Sequence, residues 1–265
     1  MSIKVAVVGA TTWGTTLGIV LARRKLQVSI LTRTPEECSD LNTSREHLRF
    51  LPGIPFPKTL TVSSNAEEAL ASSQLTIIAV PSDRLRENVK NIKHCLTSET
   101  IILNVAKGIE LPSCLQMSQV LEEELPPALH RGICSLSGPN LAKEIIQEKP
   151  ASTVVAGHDH EMTTTAQAIL MSPSFRVYTS DDVVGVELGG ALKNIIALGA
   201  GICDGLGMGN NTKSAFITRG LAEMTRLGIA AGAQPLTFAG LAGLGDIITT
   251  CASLLSRNRY VGEQL

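Results

Sequence analysis

Aromatic residues are scarce: one Trp, two Tyr and five Phe make up 3% of the chain. A core must therefore come mostly from Val, Ile, Leu and Ala, in a chain that is 44% hydrophobic and 18% charged. That content excludes a disordered chain. It suits parallel strands covered by helices, because strands buried on both faces read as continuous aliphatic runs. An excess of one charge is missing too. The net charge is −1 with no block of like charges, so the basic stripe of a nucleic-acid binder is absent. The most apolar stretch, Leu188 to Ile202, is rich in Gly and interrupted by Lys193. A membrane span needs about 20 apolar residues, so this stretch reads as a close-packed buried helix. No C-x-x-C pair occurs among Cys38, Cys95, Cys114, Cys134, Cys203 and Cys251, which speaks against a metal site and for reduced thiols acting as small hydrophobes. Met1-Ser2-Ile3-Lys4 runs straight into a strand pattern without a signal-peptide layout. The expectation is a soluble, cytoplasmic, metal-free protein with no nucleic-acid partner and no membrane span.

What the chain does have is alternation. At 265 residues it has room for one large or two modest domains. Aliphatic strands are predicted at Ile3–Gly9, Val28–Leu31, Leu75–Val80, Ile101–Val105, Ile133–Leu136, Thr153–Ala156 and Phe175–Thr179. Helices are predicted at Trp13–Arg24, Glu67–Ser73 and Asp83–Cys95. This is the pattern of a doubly wound α/β sheet. The Pro-rich run Leu51–Pro57 fits neither helix nor central strand and is expected as a loop. From Val183 onward only helix formers, Gly and Ala remain. The predicted division is 1–182, an α/β domain, and 183–265, an all-helical one.

The first strand, a tight turn and a helix meet at Gly9-Ala10-Thr11-Thr12-Trp13-Gly14, the place where a Rossmann fold holds a dinucleotide pyrophosphate at a helix N-terminus. Gly9 suits the tight turn and Gly14 the close packing of helix on strand. The middle glycine of G-x-G-x-x-G is Thr11, whose Cβ is expected to crowd the phosphate. A glycine turn in an ordinary α/β protein is the competing reading. Arg33 follows the second strand, where an acid usually selects NAD. An arginine there can accept a 2′-phosphate, so NADP and NAD both stay open, as does a merely solvated Arg33.

Further motifs follow in order: Leu51-Pro52-Gly53-Ile54, Ala106-Lys107-Gly108-Ile109-Glu110, Ser137-Gly138-Pro139 with Ala142-Lys143-Glu144, Gly185 through Asn194, Thr218 through Met224, Gly240 through Asp246, and Ser256-Arg257-Asn258-Arg259. Together with the first turn, they resemble the bacterial-type NAD(P)-dependent glycerol-3-phosphate dehydrogenases over essentially the whole chain. The resemblance implies reduction of dihydroxyacetone phosphate, a small phosphorylated substrate, to sn-glycerol 3-phosphate, supplying glycerophospholipid synthesis. It also implies a cofactor site at Gly9, Thr11, Thr12, Trp13, Gly14, Arg33, Lys107, Ala142 and Arg257.

Reduction of a ketone needs a general acid for the alkoxide, and the resemblance gives that role to Lys193. In an apolar helix, burial would lower a lysine's pKa into the useful range; a lysine reaching along its stem to solvent is the alternative. Asp246, a lone carboxylate among apolar and small residues, would pair with Lys193 if buried, or cap a helix. Thr250 would share its helix face. Arg257 and Asn258, with Ser256 beside them, offer donors for the substrate phosphate, or form a solvated helix end. Lys107 sits where ligands lie in open sheets, or is a strand-end surface lysine. Gly138 and Asn140 follow the next strand; Asn140 stands where the family usually has a small hydroxyl residue.

His47, His94, His130, His158 and His160 are expected on the surface, away from the catalytic motifs. The chain stops at Leu265 in what reads as a helix in mid-course, so the helical domain is expected to be truncated. Two other readings remain: a different two-domain dehydrogenase of the same superfamily (6-phosphogluconate-like), and a non-catalytic nucleotide-binding or regulatory protein. The Gly/Ala-rich helices are open to internal packing or to a homodimer.

Overall fold

The computed structural model describes residues 3–265. The strands are β1 (Lys4–Val8), β2 (Gln27–Leu31), β3 (Glu46–His47), β4 (Leu51–Pro55), β5 (Leu60–Ser63), β6 (Leu75–Ile78), β7 (Ile101–Asn104), β8 (Ile133–Ser137), β9 (Ala151–Gly157) and β10 (Phe175–Ser180). Eight of them form one sheet in the order β10-β9-β8-β7-β6-β1-β2-β5. Every neighbouring pair is parallel except β8 with β9. Strand order reverses between β1 and β6, and a ligand crevice is expected there, outside the carboxyl ends of the strands. All four residues of β6 and all four of β7 are buried, as strands covered on both faces must be. Their alternate side chains feed two cores. Val5, Val7, Ile77 and Leu103 lie on one side, and Ala6, Val8, Ile78 and Ile102 on the other.

The helices of this half are α1 (Thr12–Arg23), α2 (Pro35–Ser44), α3 (Ala66–Leu70), α4 (Leu85–Ile92), α5 (Met117–Glu124), α6 (Ala142–Ile145) and α7 (His160–Leu170). Thr11, Thr34, Asn65 and Asp159 each accept a bond from a first-turn amide of the helix they precede, which explains where α1, α2, α3 and α7 begin. The predicted helix over Glu67–Ser73 is shorter, ending before Ser72 takes a left-handed φ of 57°. The predicted helix over Asp83–Cys95 is α4 flanked by 3-10 turns at Ser82–Arg84 and Lys93–Cys95. The Pro-rich run lies outside the central sheet, but Leu51–Pro55 is a strand of a two-stranded ribbon with β3 and not a loop. Strand β5, with only four residues and two of them polar, was not anticipated.

Beyond Ser180 the chain is helical: α8 (Val183–Gly205), α9 (Gly209–Ala230), α10 (Pro235–Ala239), α11 (Asp246–Ala252) and α12 (Arg257–Gln264), with a π-helical turn at Leu241–Gly245 leading into α11. Asp182 caps α8 through Gly185 N at 2.8 Å. Its other carboxylate oxygen accepts from Gln234 N at 2.9 Å and Thr237 Oγ1 at 2.5 Å, so one side chain ties the start of α8 to α10. Helix α8 and the segment Pro235–Ala252 are long and apolar enough to cross a membrane by length and composition. Helix α8 nevertheless buries Glu187 and Lys193. Helices α8 and α12 cross backbone to backbone. A Cβ on Gly201 would lie 2.0 Å from Arg259 O, and one on Gly262 2.0 Å from Leu198 O.

Candidate active site

At the reversal point of the sheet, Gly9 has φ 105° and its backbone lies against Ala79 and Val80, which follow β6. Gly14 is required by proximity: a Cβ there would meet Gly9 O at 2.4 Å. Thr11 has φ −75°, so its backbone needs no glycine. Its hydroxyl donates to Ala79 O at 2.8 Å and accepts from Gly14 N at 3.1 Å. The residue expected to crowd a phosphate is thus the cap that starts α1. The first amides of α1, at Thr12 and Trp13, have no intrahelical acceptor and sit at the positive end of the helix dipole. Trp13 is half-buried against the core. Arg33 is exposed two residues past β2, and among the described residues no carboxylate pairs with its guanidinium. This cradle suits a dinucleotide: open amides, a close backbone approach and a free cation at the ribose end.

The second element of the site is a buried ion cluster. Asp246, 1% exposed, opens α11. Its Oδ1 accepts from Lys193 Nζ at 2.9 Å and its Oδ2 from Lys107 Nζ. Lys193 also donates to Thr250 Oγ1 at 2.6 Å, and Thr250 donates to Asp246 Oδ1 at 3.2 Å. Lys107 donates in addition to Gly138 O at 3.0 Å. A helix interior, a helix start and a loop beyond β7 therefore converge on one carboxylate. Two ammonium groups against one carboxylate leave the cluster with one positive charge. Burial, then the neighbouring Lys107, pushes the Lys193 ammonium down to about 8, with Asp246 opposing. A group titrating there can give and take protons at neutral pH. The N-cap reading of Asp246 does not hold, because α11 continues directly from the π-turn and has no side-chain cap.

The remaining predicted residues lie around this cluster. Gly138, at φ 144°, supplies the carbonyl that holds Lys107. Asn140 donates to Thr153 Oγ1 at 3.0 Å, which commits its amide to the sheet. Ala142 is half-buried at the start of α6. Ser256 is buried and caps α12 through Arg259 N. Asn258 donates to Asn194 Oδ1 at 2.8 Å, which places the first turn of α12 beside the residue next to Lys193. Arg257 in that turn is exposed, with no ion-pair partner among the described residues.

Three groups were missed or misplaced by sequence. His47 is buried, not on the surface: its ring packs on Phe50 with centroids 4.6 Å apart, and its Nε2 donates to Ala10 O at 2.9 Å inside the nucleotide turn. A histidine beside a Pro-rich run gives no sign of that contact. Asn194 could have been found as the polar neighbour of Lys193 in an apolar helix. Glu187 could have been found the same way: it is buried and accepts from four donors, Ser118 N at 3.0 Å, Ser118 Oγ at 2.7 Å, Ser135 Oγ at 2.6 Å and Asn104 Nδ2 at 3.3 Å.

Comparisons with known proteins converge. Residues 4–163 match the family model described as NAD-dependent glycerol-3-phosphate dehydrogenase N-terminus, and residues 182–265 match its C-terminus counterpart. The chain is 48% identical over 263 residues to a glycerol-3-phosphate dehydrogenase (NAD(P)+) of Dehalococcoides mccartyi, covering 99% of this chain and 73% of that protein. It is 47% identical over 265 residues to the Geobacter metallireducens protein of the same name, covering 100% of this chain and 79% of the relative. A crystal structure of glycerol-3-phosphate dehydrogenase from Coxiella burnetii superposes with a TM-score of 0.93 at 35% identity, over 99% of this chain and 79% of that one.

Proposed function

Because the chain belongs to the NAD-dependent glycerol-3-phosphate dehydrogenase family, we infer that the Lys193–Asp246–Lys107 cluster is where its hydride-transfer chemistry takes place. The reaction is the reversible reduction of dihydroxyacetone phosphate to sn-glycerol 3-phosphate with NADH or NADPH. The reduced nicotinamide supplies a hydride to the carbonyl carbon. This chain's part is to hold the ketone, give its oxygen a proton and neutralise the charge that builds there. Lys193 Nζ–H donates to the carbonyl oxygen and passes it a proton as the C–H bond forms, ending as a neutral amine that solvent recharges. In the oxidative direction the neutral amine takes the hydroxyl proton. Asp246 fixes Lys193 and Lys107 on its two oxygens, and the surplus positive charge of the cluster favours the developing alkoxide. Arg257 and Asn258 bind the substrate phosphate. Thr12 and Trp13 amides with Gly9 and Gly14 receive the cofactor pyrophosphate, and Arg33 a 2′-phosphate.

The observation that carries this reading is the shared carboxylate of Asp246, which brings Lys193 and Lys107 to one point. The test is oxidation of NADH and NADPH by the purified chain with and without dihydroxyacetone phosphate, read by nicotinamide absorbance. Substrate-dependent oxidation supports it; cofactor binding without turnover favours a regulatory nucleotide binder. Two finer readings accompany it. The chain works in the cytoplasm with α8 as a buried core helix and not a membrane span. A homodimer covers some of the apolar side chains left exposed in the helical half, such as Ile195, Leu227 and Leu254, 68%, 54% and 83% exposed, and sedimentation in solution tests that.

A further inference from the structure

Glu187 touches none of the groups just assigned, yet its carboxylate is buried inside the protein, with the residue only 7% exposed. Burial raises its pKa, opposed by bonds from Ser135, Ser118 and Asn104. A carboxylate in such a place is costly unless its partners repay the lost hydration, and an apolar side chain would fill the same space more cheaply. The bonds it makes are not scattered. Ser118 lies in the first turn of α5, Ser135 in β8, and Asn104 is the last residue of β7. Asn104 is also bonded to the loop that follows: its Oδ1 accepts from Ala106 N at 2.9 Å and its Nδ2 reaches Ala106 O at 3.2 Å. The next residue is Lys107.

The same helix meets Lys107 a second time. One turn after Glu187, Gly190 faces the Lys107 stem so closely that a Cβ would lie 3.3 Å and 3.4 Å from its Cγ and Cδ, and 2.6 Å from Ser137 Oγ. At 100° per residue, Glu187, Gly190 and Lys193 fall within about 120° of one another around α8. Helix α8 thus carries Lys193 on one turn, grips the stem of Lys107 on another and fixes the backbone of Lys107 on a third.

We propose that Glu187 is a positioning residue of the dehydrogenase site, acting through Asn104 and Ala106 to hold Lys107 against Asp246 and at a fixed distance from Lys193. The inference rests on the reading of Lys107 and Lys193 as active-site groups. It predicts a particular kind of damage. The titratable groups acting on Lys193 are Lys107 from the loop after β7, and Asp246 with the Cys251 thiol from α11. Lys107 lowers the Lys193 pKa, so a Lys107 that has drifted outward relieves Lys193 and lets it titrate higher.

The test uses the full chain with Glu187→Gln, a same-sized side chain that returns two donors to a site already full of donors. Titration of Lys193 followed by NMR should move upward, by half a unit or more, and kcat should fall about tenfold with the KM for cofactor unchanged. Adding Glu187→Gln to a Lys107→Met background should shift the Lys193 titration no further. Equal shifts with and without Lys107, or no shift in either, overturn the proposal. Should Glu187→Gln fail to fold, Asn104→Ala cuts the same link and keeps Glu187 charged. It must reproduce the shift, and an unmoved titration in that variant also overturns it. The NMR readout needs no turnover, so a native chain that titrates as described but does not reduce dihydroxyacetone phosphate would refute the functional reading alone.

Discussion

Lys193 and Lys107 each have their charge partner in Asp246, which holds one on each carboxylate oxygen. A lone buried ammonium would lose its proton and a lone buried carboxylate would gain one, whereas two donors on two oxygens of one acid keep all three polar groups paired. Lys193→Ala should lower kcat by roughly 10²–10⁴-fold, the usual worth of a positioned acid, with cofactor binding retained in a fluorescence titration. Turnover within a few-fold of native would remove Lys193 from the mechanism. Arg33 makes a separate claim. A charged hydrogen bond is worth about 1.5–3 kcal/mol, so Arg33→Ala should raise KM for NADPH at least tenfold and leave KM for NADH where it was. Parallel changes in both would show that Arg33 touches no 2′-phosphate. Much of this was legible in the chain. Lys193 and Asp246 stand out as isolated charges in apolar runs, and that isolation predicted their pairing. Lys107 as the second partner was not legible, since the loop beyond β7 gives no period from which to aim a side chain. The role of Thr11 as the cap of α1 was not legible from the missing glycine either, because it depends on the hydroxyl reaching Gly14 N and Ala79 O.

Among the elements, α12 depends on glycine. Gly201 and Gly262 let α8 and α12 approach until backbone atoms touch, and that contact sets where Ser256, Arg257 and Asn258 lie. Gly262→Ala places a methyl carbon against Leu198 O, and overpacking of this kind costs about 1–3 kcal/mol. The expected outcome is a lower melting temperature and a raised KM for dihydroxyacetone phosphate, with KM for cofactor little changed. Arg257→Ala should raise the same KM by about tenfold or more without the loss of stability, and an unchanged KM would locate the phosphate elsewhere. The sheet elements were predictable from aliphatic runs at β1, β2, β6, β7, β8, β9 and β10. The exceptions have physical causes. Strand β5 is short and half polar. The antiparallel pairing of β8 with β9 follows from a connection whose only helix is the four-residue α6, too little for a parallel crossover, and the sequence pattern carries no sign of strand direction.

At the scale of the molecule, the lowered Lys193 pKa has consequences for rate and for stability. Reduction needs the ammonium, so its kcat should fall as pH rises through about 8, while oxidation of glycerol 3-phosphate should rise over the same range. Identical profiles in the two directions would argue against one group serving both. For stability, the folded chain releases the Lys193 proton near 8 and the unfolded chain near 10.5. Between those values the unfolded state binds more protons, so Lys193 adds stability as pH climbs across that window. Melting temperatures at both ends, native against Lys193→Met, should show the native chain gaining relative to the variant; equal changes would mean the proton uptake is not coupled to folding there. The family and the order of sheet and helices could be read from sequence because motifs recur in order along the whole length. Glu187 was legible as a charge in an apolar helix, but its partners were not, since they come from three separate elements.

The carboxylate of Asp246 joins a lysine from the sheet half to a lysine from the helical half. The bonds that make the site are therefore also bonds that hold the two halves against each other. By linkage, a ligand that binds only the assembled cluster stabilises the assembly by RT ln(1 + [L]/Kd). Substrate affinity then becomes a gauge of how often the seam is closed: loosening it anywhere along α8 would register as weaker substrate binding before any loss of secondary structure could be seen.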